Sequence, residues 1–138
     1  MKNFLAGIAI VMLIIIFPLQ GLLDFINNYR SQAFTDAVNQ AAKTARLDGC
    51  FRQETIDKLK SDLKKAYPDL SDSDIYIDVT TTRKYRTYVF DERETINYDI
   101  RVPIKKIVVA PAFWGITEGD NRAVAQRKSF VLSEVWAP

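Results

Sequence analysis

The chain has 138 residues, 48% of them hydrophobic and 26% charged, and 19 Lys+Arg against 17 Asp+Glu leave a formal charge of +2. That length supports one modest domain. With no histidine and the single cysteine Cys50, a zinc site of the His/Cys kind, imidazole-based catalysis and an internal disulfide are excluded, and the near-balanced charge argues against electrostatic nucleic-acid binding.

The charge is unevenly placed. From Phe4 to Leu23 no residue is charged, and Gln20 is the only strongly polar one. All 17 acids and all but one of the 19 bases lie at Asp24 or later. The Leu, Ile, Val and Phe side chains of the run favour insertion by about 4 to 8 kcal/mol as an upper bound, which Pro18, Gln20 and Gly21 reduce without reversing. Twenty helical residues rise about 30 Å, one hydrocarbon thickness. The run is therefore expected to span a membrane. Lys2 is the only charged side chain ahead of it, which predicts an N-in, C-out orientation. A retained anchor is the leading expectation. A removed secretory signal is the competing one: the basic start suits it, but the run is long for such a signal and no small-x-small cleavage site follows closely.

Residues 24–48 contain no Pro or Gly, and Ala33, Ala37, Ala41 and Ala45 recur every fourth position, which predicts that the same helix continues as a stalk. Gly49 is placed to end it in a left-handed conformation. Unbroken from residue 2 to 48, such a helix is about 70 Å long, with Pro18 and Gly21 as the places for a kink or local unwinding. A second helix is expected over Gln53–Tyr67, where Ile56, Leu59, Leu63 and Ala66 form one apolar stripe and Pro68 marks the end. The Ser/Asp-rich stretch 69–74 reads as a turn.

The remainder reads as β. Ile75, Ile77 and Val79 alternate with Tyr76, Asp78 and Thr80, and a β-rich stretch runs on through Tyr85, Tyr88 and Phe90 to a polar tip at Asp91, Glu92 and Arg93. Ile96, Tyr98, Ile100, Val102 and Ile104 mark a half-buried strand whose end Pro103 places at an edge or bulge. A last strand is expected over Ala123–Trp136. The fold class is α+β: a long N-terminal hydrophobic helix continuing into a stalk, a short second helix, and a three- to four-stranded antiparallel sheet. Residues 1–26 are the expected transmembrane or filament-core helix. Residues 27–138 are the expected extracytoplasmic head, including the stalk helix.

Several features have two readings. The alanine stripe either admits close approach of a neighbouring helix or seats the stalk on its own sheet. The apolar stretch Ile107–Ile116 is either a strand with a partly buried loop, or it presents Phe113 and Trp114 to a neighbouring subunit or a membrane surface. Cys50 is either buried and inert or a bridge to another chain. The Arg/Tyr stretch Arg83–Tyr88 has the composition of a single-strand nucleic-acid strip, but a mixed strand surface is the better reading. The acid pairs Asp91/Glu92 and Asp72/Asp74 fall in predicted turns, and neither a nucleophile elbow nor a glycine-rich phosphate loop is present. The expectation is a non-enzyme with no cofactor, no metal and no nucleic-acid contact.

The N-terminal hydrophobic helix, the stalk ending in Ala41-Ala-Lys-Thr-Ala-Arg-Leu-Asp-Gly49, the Thr55–Leu63 helix and the closing Ser133-Glu-Val-Trp136 together resemble the small pilin-like proteins of the tight-adherence (Tad, TadE-like) type. The nearest likeness is to a set found near pilus or conjugation genes in Firmicutes. The resemblance implies a structural subunit of an extracellular type IV-like filament, a helical homopolymer on the cell surface. It also implies a membrane-anchored precursor that is handled by an inner-membrane pilus assembly machinery. Type IV pilins have a short leader ending in Gly and an acid five residues beyond it; here Gly7 is followed at that distance by Met12, and no acid precedes Asp24.

On this reading the helices assemble through Ile8, Val11, Ile14, Ile15, Phe17, Pro18, Gln20, Leu22 and Phe25, with Ala33 and Ala37 on the stalk. Gln20, costly in lipid alone, would find its partner between helices. Phe113, Trp114 and Trp136 are the candidate subunit contacts. The alternative is a non-polymerising single-pass component of a conjugation or secretion apparatus.

Overall fold

The computed structural model describes residues 2–87 and 94–138. Tyr88, Phe90 and the expected hairpin tip at Asp91, Glu92 and Arg93 lie outside the described residues. In chain order the elements are α1 (Lys2–Asp48), α2 (Gln53–Ala66), β1 (Tyr76–Val79), β2 (Thr95–Ile104) and β3 (Ala123–Leu132), with 3-10 turns at Asp72–Asp74 and Pro111–Trp114. The strands form one antiparallel sheet in the order β1-β2-β3. This is the α+β architecture expected from the sequence.

α1 runs through Pro18 and Gly21 without a break, so the local unwinding foreseen there does not occur. Proline removes one backbone donor, and the turns on either side hold the helix together. The helix stops where glycine allows it: Gly49 has φ +81°, and a Cβ there would lie 2.6 Å from the Lys84 carbonyl oxygen. The Lys84 amide in turn donates to the Gly49 carbonyl at 2.8 Å. α2 buries Thr55, Leu59 and Leu63 and ends at Tyr67, whose amide donates to the Leu63 carbonyl at 2.9 Å. Pro68 cannot continue the ladder. The turn that follows is held by a capping box between Ser71 and Asp74.

β1 and β2 pair in the register Tyr76↔Arg101, Ile77↔Ile100, Asp78↔Asp99 and Val79↔Tyr98. Ile96, Tyr98, Ile100 and Val102 of β2 are buried, as are Phe34, Val38, Ala41, Ala42 and Ala45 of α1, Leu59 and Leu63 of α2, and Phe51. The rings of Phe51 and Tyr98 meet at 6.0 Å. Two periodicities converge here, the helical one from α1 and α2 and the two-residue one from β2. β2 is the central strand, not an edge. Pro103 is tolerated because it lies past Arg101, the last residue that β1 pairs.

The C-terminal part departs from the expected strand. β3 ends at Leu132 and does not reach Trp136. Ser133 is buried; its amide donates to the Glu94 carbonyl at 2.9 Å and its hydroxyl to the Lys84 carbonyl at 2.8 Å. The Val135 amide donates to the Ser133 hydroxyl, and the Arg86 amide to the Val135 carbonyl. These bonds hold residues 133–135 in an irregular course, and Trp136 is joined to Arg86 by an isolated parallel bridge. Residues 83–87 are likewise irregular apart from that bridge, which corrects the strand expected around Tyr85.

The chain divides into two compact units. One comprises the chain up to Tyr29 with Ile104–Ala123; the other comprises Arg30–Pro103 and Val124–Pro138. Within the continuous α1 the boundary between the units falls at Tyr29/Arg30. The grouping of Ile104–Ala123 with the apolar helix, and not with the head, is new.

Candidate functional site

The apolar part of α1 is the most conspicuous surface of the chain. Ile8, Val11, Ile14, Ile15, Phe17 and Leu22 are exposed, with Phe17 and Phe25 each at 70%, and Pro18 is exposed with them. Leu5, Ile10, Met12 and Leu13 are exposed as well, and because successive helical residues turn by about 100°, the exposed apolar side chains together occupy every face. An all-round apolar helix with nothing from its own chain over most of it belongs in a non-aqueous setting. It is long and apolar enough to cross a membrane, and only 6% of its most apolar window is buried. Near the N-terminus, such a helix acts either as an anchor or as a signal sequence.

Gln20 is the exception, and it is where the structure adds most. Its Nε2 donates to the Asp24 carboxylate at 2.8 Å and to the Ile107 carbonyl at 3.0 Å, while its Oε1 accepts the Val109 amide at 2.8 Å. Nearly two turns further on, Asn27 Nδ2 donates to the Lys106 carbonyl at 2.9 Å. The partner expected from a neighbouring helix is thus supplied by the chain itself.

The segment so held is a built loop. Asn121, 2% exposed, accepts the amides of Ile107 and Val108 at 2.9 and 2.7 Å and donates to the Val108 carbonyl at 2.9 Å. Ala110 (φ +50°) and Gly115 (φ +71°) flank the 3-10 turn Pro111–Trp114. Phe113 and Trp114 are 46% and 48% exposed, with their rings edge to face at 5.1 Å. The stretch 107–116 is therefore a loop capped by a 3-10 turn, without the strand that one reading gave it.

The remaining candidates lie in the other unit. Ala33 and Ala37 are half-buried, whereas Ala41 and Ala45 are buried in the head's core, so the lower half of the stripe answers to the chain's own packing. Trp136 is 56% exposed, with the Arg86 guanidinium 5.3 Å above its ring. It shares no unit with Phe113 and Trp114. Cys50 is buried. Arg83 lies 5.7 Å over the Tyr85 ring, and Arg86 lies 5.3 Å over that of Trp136.

The face of β2 opposite the core carries one charged cluster. Arg101 pairs with Asp99 and lies 4.9 Å over the Tyr76 ring, and Gln126 donates to Asp99 at 2.9 Å. The Arg101 guanidinium beside Asp99 holds its carboxyl down to about 2, against the opposing effect of burial. A carboxylate so weakly basic is a poor proton acceptor near neutral pH. Among the described residues no group of three or more Cys, Asp or Glu is arranged to hold a metal ion.

Asn27 and Asn121 are the functional residues that sequence reasoning passed over. The only available signal was a carboxamide near the end of each apolar stretch. No protein-family model matches this chain, and no curated protein or solved structure matches it either.

Proposed function

We propose that this chain is a structural, pilin-like subunit: membrane-anchored through α1 before assembly, and polymerised through that helix into an extracellular filament of the type IV or Tad kind. The observation that carries the reading is the dual use of one helix. Its first part exposes apolar side chains all round, and without interruption it then supplies Phe34, Val38 and Ala45 to the head's core. A helix of this kind is stable in lipid or among copies of itself, and because both surroundings are equally apolar, packing and head contacts set the balance between them. Electron microscopy of sheared surface material from the native source, with mass spectrometry of its subunits, tests the proposal. Filaments containing this chain are expected; filaments built wholly of another protein would overturn it.

One observation favours the second reading, a single-pass component that never polymerises. Gln20 is already satisfied by Ile107 and Val109, so its half-buried amide does not itself demand a neighbouring helix. Persistence of the protein as a monomer in the native membrane would decide for that reading.

A further inference from the structure

The loop that Gln20 grips has a direction. Lys106 is bound at Asn27 and Val109 at Gln20. Asn27 and Gln20 are seven helical residues, about 10 Å of rise, apart, and the chain passes from the first to the second as it goes from Lys106 to Ile107 and Val109, so this stretch runs alongside α1 toward its apolar end. Asn121 then ties the returning strand back to Ile107 and Val108. The tip, Pro111–Trp114, is thereby held near the level of Gln20, where the uncharged run of α1 closes.

Polarity follows the same direction. From Ile107 to Thr117 there is no charge, whereas Lys105, Lys106, Glu118 and Asp120 stand at the loop's base. On α1 the first charge after the apolar run is Asp24, between Gln20 and Asn27. The helix and the loop therefore change from apolar to charged at the same height. A bilayer has such a boundary, and Trp and Phe at that depth sit between acyl chains and headgroups while lysines reach the headgroup side.

We propose that the loop's tip is an interfacial wedge, with Phe113 and Trp114 resting in the headgroup–acyl boundary of the phospholipid leaflet from which α1 emerges. The occupant of this exposed aromatic surface is lipid, selected by its continuity with the apolar helix in one compact unit. The inference rests on α1 spanning a membrane.

Reconstitution of the full chain in phosphatidylcholine/phosphatidylglycerol vesicles tests it by tryptophan quenching with lipids brominated near the top of the acyl chain. Wild type carries Trp114 and Trp136; W114F leaves Trp136 alone and W136F leaves Trp114 alone. The wedge predicts blue-shifted Trp114 emission that loses its larger share to the brominated lipid, and Trp136 emission that does not. The difference between wild type and W114F gives the same answer without altering Trp136. Trp114 emission that is water-like and quenched by iodide would overturn the wedge. So would a blue shift that follows protein density and ignores brominated lipid, which would assign the surface to a second copy. Phe17→Trp in a chain lacking both native tryptophans reports the anchor separately. If deeply brominated lipid quenches that residue while Trp114 stays dark to lipid, only the wedge fails; if neither responds, the anchor fails as well.

Discussion

The Oε1 of Gln20 accepts the amide of Val109 at 2.8 Å, joining residues 89 positions apart in the chain. A carboxamide both gives and takes here, because its Nε2 reaches the Ile107 carbonyl. Gln20→Leu keeps the helix apolar and removes both bonds. The expected cost is local and about 1–3 kcal/mol, so the amide of Val109 should exchange roughly ten- to a hundred-fold faster. Hydrogen exchange resolved at residues 107–109, in detergent or nanodiscs, checks this; unchanged protection would show that Asn27 and Asn121 suffice to hold the loop.

Gly49→Ala is expected to destabilise the head by about 1–3 kcal/mol through backbone strain alone. The added methyl group meets the Lys84 carbonyl oxygen at 2.6 Å, and backbone cannot yield as a flexible side chain does. Denaturant unfolding followed by Trp136 fluorescence measures the loss.

The Asp99 carboxyl is lowered from an ordinary 3.8 to about 2 by its pairing with Arg101. A depressed folded-state value means that the carboxylate's contribution is fully present above the ordinary value. It fades as the pH falls through the folded one. The head should thus lose stability between pH 4 and pH 2 as Asp99 takes up its proton. In Asp99→Asn that part of the acid sensitivity should disappear, as acid titration of the two proteins followed by circular dichroism would show.

Ile14, 65% exposed, lies midway along the apolar run. Ile14→Lys places a charge at the helix centre, which costs about 2.5–3.5 kcal/mol on the insertion scale. A filament-forming chain should lose its filaments, and a non-polymerising component should show weaker insertion and docking alone. Electron microscopy alongside membrane fractionation separates the two outcomes.

Local signals carried much of the fold. Gly49 and Pro68 punctuate two helices whose apolar spacing is plain, and the alternation of Ile96, Tyr98, Ile100 and Val102 marks the strand whose apolar face lies in the core. The last strand misled because Phe130, Leu132, Glu134 and Trp136 oppose Val131 and Val135 in an alternating pattern, while the bonds of Ser133 to Lys84 and Glu94 take the chain off the ladder. Alternation does not reveal which polar residue will find a buried partner. The loop at 107–121 was legible as an apolar stretch but not in its attachment, since Gln20, Asn27 and Asn121 act across separations that no local periodicity encodes. The exposed face of α1, by contrast, was readable residue by residue, because hydropathy alone defines it.

The end of α1 at Gly49 is completed by residues from two later stretches. Lys84 bonds to Gly49, the Ser133 hydroxyl bonds to Lys84, and the Glu134 amide donates to the Arg46 carbonyl at 2.9 Å. Closure of that knot has to wait until the ribosome has released the stretch around residue 134, so the head cannot mature piecemeal as it is synthesised. A cell making this chain must therefore keep the hundred or so residues ahead of that stretch from clumping until Ser133 and Glu134 arrive.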